Sequence, residues 1–170
     1  MRKSNTEFLK DCMANALIEL LKEKPIDKIS VTDITDKAGV GRATWFRNFS
    51  SKAEAISYKL ISLWYEWCNA TGIPKEQRYT IDNARDFFDF SLECKDLYNL
   101  IYSQNLQNTI YDAFYAVIIK QQRTTQEEYY QSRFLSYGVF GIVDEWVKRN
   151  YKEKPEEIAN IINNTIIKKP

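Results

Sequence analysis

The side chains best suited to chemistry in this sequence form one short cationic segment that begins at Arg42 and ends at Lys52. Thr44 and Arg47 lie between them. A guanidinium group can pair with two acceptors at once, either on a phosphate or on the edge of a guanine base. A lysine at the start of a helix adds charge where backbone N–H groups already attract phosphate. These residue types favour recognition of phosphates and base edges.

Histidine is absent from the 170 residues. This absence removes histidine-based acid–base catalysis, Ser-His and Cys-His nucleophile pairs, and zinc sites that contain histidine. The cysteines Cys12, Cys68 and Cys94 are too few and too widely spaced for a disulfide framework or a zinc motif. Catalysis by carboxylates or lysines stays open, but no motif assembles it. We therefore expect no enzyme, no catalytic or metal-binding residues and no cofactor.

The composition predicts an all-α protein with a sizeable core. Hydrophobic residues make up 44% of the chain and aromatic residues 14%, with only 5 glycines and 4 prolines. Residues 82–102, 106–122 and 129–150 each have the pattern of a helix, and the polar stretch 121–128 is expected to connect two of them. The net charge of +1 gives no general basic field. The sequence contains no apolar run long enough for a signal peptide or a membrane span, so a cytoplasmic location is expected.

The cationic segment lies in a helix-turn-helix pattern. Ser30 is a natural N-cap with Asp33 at the acidic position of a capping box, and Gly39 suits the turn. An apolar set spaced to pack the two helices together consists of Ile34, Ala38, Val40, Trp45 and Phe49. The second helix, over about residues 42–49, is left with an outward set small enough to enter a DNA major groove, namely Arg42, Ala43, Thr44, Phe46 and Arg47.

Residues 8–61 resemble the N-terminal domain of the TetR/AcrR family of bacterial transcriptional regulators. The resemblance rests on an amphipathic first helix followed in order by Ser30-Val31, Asp33-Ile34, Ala38–Val40, Thr44–Phe49 and Lys52. It implies a three-helix DNA-binding domain over residues 1–51 and a helical ligand-binding and dimerisation domain over residues 52–170. It also implies a homodimer on a palindromic operator in double-stranded DNA, with repression that a small ligand releases.

The resemblance assigns DNA contacts by position. Those expected to touch DNA are Thr32, Arg42, Thr44, Arg47 and Lys52, with Phe46 packing on the backbone of the duplex. Gly41 stands where the family often has serine, which removes a side-chain cap from the second helix. Phe46 lacks the hydroxyl of the usual tyrosine, Asn48 replaces a common His or Tyr, and Trp45 is bulkier than the usual residue.

Residues 137–150 and 154–159 resemble the last two helices of a family branch common in low-GC Gram-positive bacteria, which includes a co-activator linked to dihydroxyacetone kinase. In that branch these helices form a four-helix bundle with a second chain. Small residues allow close approach and aromatic residues supply area, which favours an interface over monomer core. The predicted interface comprises Tyr137, Gly138, Phe140, Gly141, Trp146, Ile158 and Ile162.

The aromatic residues of the C-terminal domain fit either a ligand pocket or ordinary core. The candidate pocket residues are Trp64, Phe88, Tyr98, Tyr102 and Phe114. An alternative function keeps the DNA-binding domain but makes the chain a co-activator whose C-terminal domain binds a protein. A tightly filled domain with an exposed aromatic patch would favour that alternative.

Overall fold

The computed structural model describes residues 4–74, 78, 84–119 and 125–167. Within these ranges the regular elements are helical, and no strand is present. A 3-10 turn covers Ile26–Lys28, and a π-turn follows the last α-helix at Asn163–Ile167. The α-helices are α1 (Asn5–Glu23), α2 (Val31–Ala38), α3 (Arg42–Asn48), α4 (Lys52–Ala70), α5 (Ala84–Glu93), α6 (Lys95–Ser103), α7 (Asn108–Ile119), α8 (Gln126–Lys148) and α9 (Pro155–Ile162). The all-α class predicted from composition is confirmed.

The start of α2 is fixed by the predicted capping box. The Asp33 backbone amide donates to Ser30 Oγ at 3.0 Å, and the Ser30 amide donates to Asp33 Oδ2 at 2.8 Å. Gly39 ends the helix with φ of +68°, a left-handed conformation that glycine adopts without a Cβ penalty. The turn to α3 therefore follows directly from these three residues.

Helix α3 begins at Arg42 after Gly41, which supplies no side-chain cap, as its residue type predicts. Packing rather than capping holds the helix. Ile34, Trp45 and Phe49 are almost fully buried, and the Trp45 and Phe49 rings lie 5.2 Å apart between centroids. Burial of a large apolar side chain contributes about 1.5–3 kcal/mol. These contributions offset the low intrinsic stability of such a short helix.

Helix α4 connects the N-terminal helices to the rest of the chain. Ser51 caps it by accepting from the Glu54 amide at 3.0 Å. The helix packs against α1 on one side and α7 on another. Ile56 and Leu60 are buried in one core that continues from α1–α3 into the C-terminal helices. A movement of α4 would therefore displace both regions.

Two helix boundaries differ from the sequence prediction. Residues 82–102 do not form one helix, because the chain bends at Cys94 (φ −87°, ψ 12°) between α5 and α6. This bend lets α5 pack against α9. The polar stretch 121–128 is not a connection over its last residues, because Thr125 caps α8 with a capping box to Glu128. Residues 121–124 lie outside the described residues.

Within the described ranges no helix has both the length and the apolar composition needed to cross a bilayer. The same part of the chain contains no cluster of three or more His, Cys, Asp or Glu side chains that could hold a metal ion.

Candidate nucleic-acid interface

The outward face of α3 is open to solvent along its length. Arg42, Ala43, Phe46 and Arg47 are exposed, and Phe46 keeps 64% of its area accessible. Thr44 is half-buried, and its backbone carbonyl accepts from the Asn48 side-chain amide at 2.7 Å. On α2, Thr32 is also exposed. The arrangement presents a short helix with a buried apolar side and an exposed cationic side.

The two arginines of α3 differ from neighbouring cations in their partners. Lys24 pairs with Asp33 at 2.9 Å, and Lys37 pairs with Glu23 at 3.2 Å. Neither Arg42 nor Arg47 has a carboxylate partner among the residues that the structure describes. Their charge is therefore available for phosphate or base edges without the loss of an internal ion pair.

Lys52 is half-buried and tied to the protein itself. Its Nζ donates to the Ile29 carbonyl at 2.8 Å and also to the Ile26 carbonyl. These carbonyls belong to the 3-10 turn between α1 and α2, so the ammonium joins the start of α4 to that turn. An ammonium has three N–H donors, which leaves one for another partner.

A second link joins the same turn to the C-terminal helices. Gln104, which follows α6, accepts from the Ile26 amide at 3.2 Å through Oε1 and donates to the Leu21 carbonyl at 3.4 Å through Nε2. The turn between α1 and α2 is thus held by α4 on one side and by the end of α6 on the other. Nothing in the sequence pattern indicates this role for Gln104, because its partners lie about 80 residues away.

The C-terminal helices enclose a cavity of about 90 Å³ to which each of α4–α9 contributes. Four of the five predicted pocket residues line it, namely Trp64, Phe88, Tyr98 and Phe114. Sequence reasoning did not assign Phe87, Phe90 and Arg78 to the lining. For the two phenylalanines the only signal was membership of the same aromatic stretch, which does not separate cavity walls from core.

Tyr102 does not line this cavity, which corrects the prediction for that residue. Its hydroxyl instead donates to Asp144 Oδ1 of α8 at 2.8 Å. Burial first, and then the hydrogen bond to Asp144, raise the pKa of Tyr102 above its ordinary value. The residue therefore ties α6 to α8.

Three residues predicted at a dimer interface lie inside the chain. Trp146, Ile158 and Ile162 are each at most 4% exposed, so they offer almost no surface to a second chain. Trp146 packs against Phe88 and donates from Nε1 to the Glu153 carbonyl at 2.9 Å, while Ile162 lines the cavity. The apolar stripe of α9 packs into the core mainly against α5.

The other predicted interface residues lie toward the surface of α8. Tyr137 is 57% exposed, Gly138 and Gly141 are exposed, and Phe140 is half-buried. A Cβ added to either glycine would meet no atom within 4 Å. The packing of a single chain therefore does not require glycine at these two positions. Phe134, one turn earlier on the helix, is 80% exposed.

Two family models match the sequence. One, described as bacterial regulatory proteins of the tetR family, covers residues 15–56, which include α2 and α3. The other, described as transcriptional regulator C-terminal region, covers residues 79–168 of the 170-residue chain. The chain belongs to the TetR family. As a TetR-family protein it is a DNA-binding transcriptional regulator, which confirms the family expected from the sequence.

A crystal structure of a TetR transcriptional regulator from Rhodococcus sp. RHA1 is similar to this TetR-family chain, with a TM-score of 0.53 and 16% sequence identity. The match covers 95% of this chain and 94% of that chain. At this identity the likeness shows the fold alone, a helix-turn-helix region followed by a helical C-terminal region. No curated protein matches the sequence.

Proposed function

We propose that this TetR-family regulator represses transcription as a homodimer that binds a palindromic operator, and that a small molecule in the C-terminal cavity releases it. The observation that carries the proposal is the exposed face of α3, where Arg42 and Arg47 have no carboxylate partner among the described residues. We take residues 1–51 as the DNA-binding domain and 52–170 as the regulatory domain, in the bacterial cytoplasm and without enzymatic activity.

In this proposal the α3 residues divide the work on the duplex. Arg42 and Arg47 bind phosphate or a guanine edge, while Ala43 and Thr44 approach bases in the major groove. Phe46 packs against the sugar–phosphate backbone, and Thr32 donates to a phosphate from the neighbouring helix. Lys52 approaches phosphate with the one N–H that its two carbonyl partners leave unused.

The surface of α8 supports a dimer. Exposed Tyr130, Phe134, Tyr137, Gly138 and Gly141 fall within one stripe at spacings of three and four residues. The two glycines would allow a second α8 to approach closely, and the aromatic rings would supply buried area. A two-fold axis at this stripe pairs the same residues of both chains, as a symmetric dimer requires.

Light scattering after size exclusion tests the dimer. The expected mass is twice the chain mass of 20.1 kDa, and Phe134→Glu should shift the mass toward one chain because it places a charge in the interface. The matched control is Glu93→Lys, which reverses an exposed charge at the end of α5, outside the stripe on α8. A wild-type chain that runs as a monomer at high protein concentration would contradict the dimer.

The packing supports release by a ligand. Trp64 belongs to α4 and lines the cavity. The first residue of the same helix, Lys52, contacts the turn before α2. Two α3 helices in a dimer must lie about 34–36 Å apart to enter successive major grooves. A ligand that binds better to a conformation with another spacing weakens operator binding by the ratio of its two affinities.

Salt dependence of binding to a duplex of arbitrary sequence tests the DNA-binding face without knowledge of the operator. Each phosphate contact adds about 0.9 to the slope of log affinity against log salt. Arg42→Ala and Arg47→Ala should therefore each lower the slope by about 1 per chain. Lys37→Ala is the matched control, because this cation is already paired with Glu23. Equal slopes for all four proteins would contradict the proposed face.

A second candidate is a co-activator whose C-terminal domain binds another protein. The observation that favours it is the strong exposure of Tyr130 and Phe134 on α8. A wild-type monomer that still binds DNA would leave this aromatic stripe free for a different protein. A co-activator that binds a protein would be expected to have a tightly filled C-terminal domain. The presence of a cavity in this domain therefore favours the repressor.

A further inference from the structure

We propose that the cavity between α4 and α9 binds a small, neutral, largely apolar molecule that carries one hydrogen-bond acceptor, and that the indole N–H of Trp64 donates to this acceptor. The inference rests on the proposed function, since it specifies the ligand that would act there. It concerns binding alone and can be tested without DNA.

The walls of the cavity define the apolar character of the ligand. Four phenylalanine side chains and several aliphatic ones line it, and no carboxylate or lysine does. An ammonium group in this cavity would lose water and gain no opposite charge, so a cationic ligand is disfavoured. The volume of about 90 Å³ is close to that of a single small ring.

The one cationic wall residue is already occupied by the protein. Arg78 donates from Nε and Nη2 to the Ile73 carbonyl at 3.2 and 3.1 Å. Its Nη2 also donates to Asn69 Oδ1 at 2.7 Å. These bonds satisfy three of the five guanidinium N–H groups with neutral oxygens, so a neutral ligand leaves them paired. Binding of benzoate as strong as that of pyridine would contradict a neutral ligand.

The polar anchor is a donor that the protein leaves unused. Trp64 is 6% exposed, and its Nε1 is buried with no hydrogen-bond partner among the described residues. A buried indole N–H usually finds an acceptor, as Trp146 does at the Glu153 carbonyl. An unpaired buried donor costs free energy that an acceptor on a bound molecule would recover.

Trp67 provides an internal comparison. Its ring stacks on Trp64 with centroids 5.8 Å apart, and its Nε1 is likewise buried without a partner in the described part of the chain. Trp64 lines the cavity, however, and Trp67 does not. Because only Trp64 of the two borders the cavity, the proposal places the acceptor of the ligand at its indole N–H, and Trp67 serves as the control.

Benzene and pyridine form a matched pair of probes, since both are six-membered aromatic rings and only pyridine carries an acceptor at pH 7.5. The readout is the set of four tryptophan indole N–H signals in a ¹⁵N–¹H spectrum of the wild-type protein. Pyridine should move the Trp64 proton downfield in a saturable way, with a smaller change at Trp67. Benzene should bind without that downfield shift.

Trp64→Phe removes the donor and keeps an aromatic ring. It should weaken pyridine about fivefold to tenfold more than it weakens benzene, whereas Trp67→Phe should change neither affinity. Equal effects of Trp64→Phe on both probes, or binding of piperidinium as strong as that of pyridine, would overturn the proposed ligand class. No saturable shift with either aromatic probe would overturn the site itself. Failure of the proposed regulatory function is a separate result. In that case the wild-type protein would not recognise specific DNA even in the absence of a ligand.

Discussion

The side-chain carbonyl of Gln104 accepts a hydrogen bond from the backbone amide of Ile26 at 3.2 Å. This bond joins the end of α6 in the C-terminal region to the turn that precedes the helix-turn-helix. Through Lys52, the start of α4 holds the same turn. Gln104 and Lys52 therefore each link the turn before the helix-turn-helix to the part of the chain that forms the cavity.

Removal of the Gln104 link should loosen the turn without unfolding the protein. We expect Gln104→Ala to speed hydrogen exchange of the Ile26 amide and to lower the free energy of unfolding by about 1 kcal/mol. The measurement is amide exchange by NMR. Ser103→Ala is the matched control, because that exposed hydroxyl donates only to Leu100 of its own helix. Unchanged exchange at Ile26 would show that the bond does not hold the turn.

Lys52 should matter for stability as well as for DNA. Lys52→Met keeps the aliphatic stem but removes an ammonium that donates to two carbonyls. Hydrogen bonds to charged groups contribute about 1.5–3 kcal/mol each, and partial exposure lowers this value, so a loss of about 2 kcal/mol is expected. Urea unfolding measures the loss. Arg47→Met, on the exposed face of α3, should stay within about 0.5 kcal/mol of wild type. Equal stability of the two variants would exclude the link as a structural contact.

The capping box of α2 predicts a dependence of stability on acid pH. The Ser30 backbone amide, and then the Lys24 ammonium, lower the pKa of Asp33 from 3.8 to about 2. Because the pKa is lower in the folded state, the stabilisation is complete above about pH 4 and is lost as the pH falls through about 2. Thermal unfolding should therefore separate wild type from Asp33→Ala at neutral pH and bring them together near pH 2. A constant difference across this range, or an equal effect of Asp36→Ala, would contradict the assignment.

Two cysteines should resist thiol reagents while the protein is folded. Burial raises the pKa of Cys68 to about 11 and that of Cys94 to about 12, which leaves little reactive thiolate at pH 8. Cys94 is only half-buried, whereas Cys68 is fully buried. With an aromatic disulfide reagent, a protein that carries Cys12→Ser and Cys94→Ser should therefore react only as fast as it unfolds, and denaturant should release its one remaining thiol at once. Fast labelling of this protein in the folded state would contradict the burial of Cys68.

The helix-turn-helix was predictable from sequence because its determinants are local. Ser30, Asp33 and Gly39 define the ends of α2 through bonds and backbone angles within a few residues. Trp45 and Phe49 repeat at the spacing of one helical turn, so their burial follows from the pattern. Gly41 replaces the serine that is common at this position, and α3 accordingly begins without a side-chain cap.

The C-terminal region was less predictable because an apolar helix face does not reveal what covers it. Trp146 and Ile162 have the residue types of an interface, but they pack inside the chain. Tyr102 left the predicted cavity because its hydroxyl finds Asp144 on another helix, 42 residues further along the chain. The bend at Cys94 has no glycine or proline to mark it. Each of these outcomes depends on tertiary contacts rather than on local pattern.

Selection from a random duplex library shows whether α3 of a dimer reads specific DNA. The wild-type protein should enrich a palindrome with half-sites centred about one helical turn apart. Arg42→Ala and Arg47→Ala should lose that enrichment, and Lys37→Ala should retain it. If the wild-type protein enriches no common sequence, or if all four proteins enrich the same one, α3 does not read specific DNA through Arg42 and Arg47.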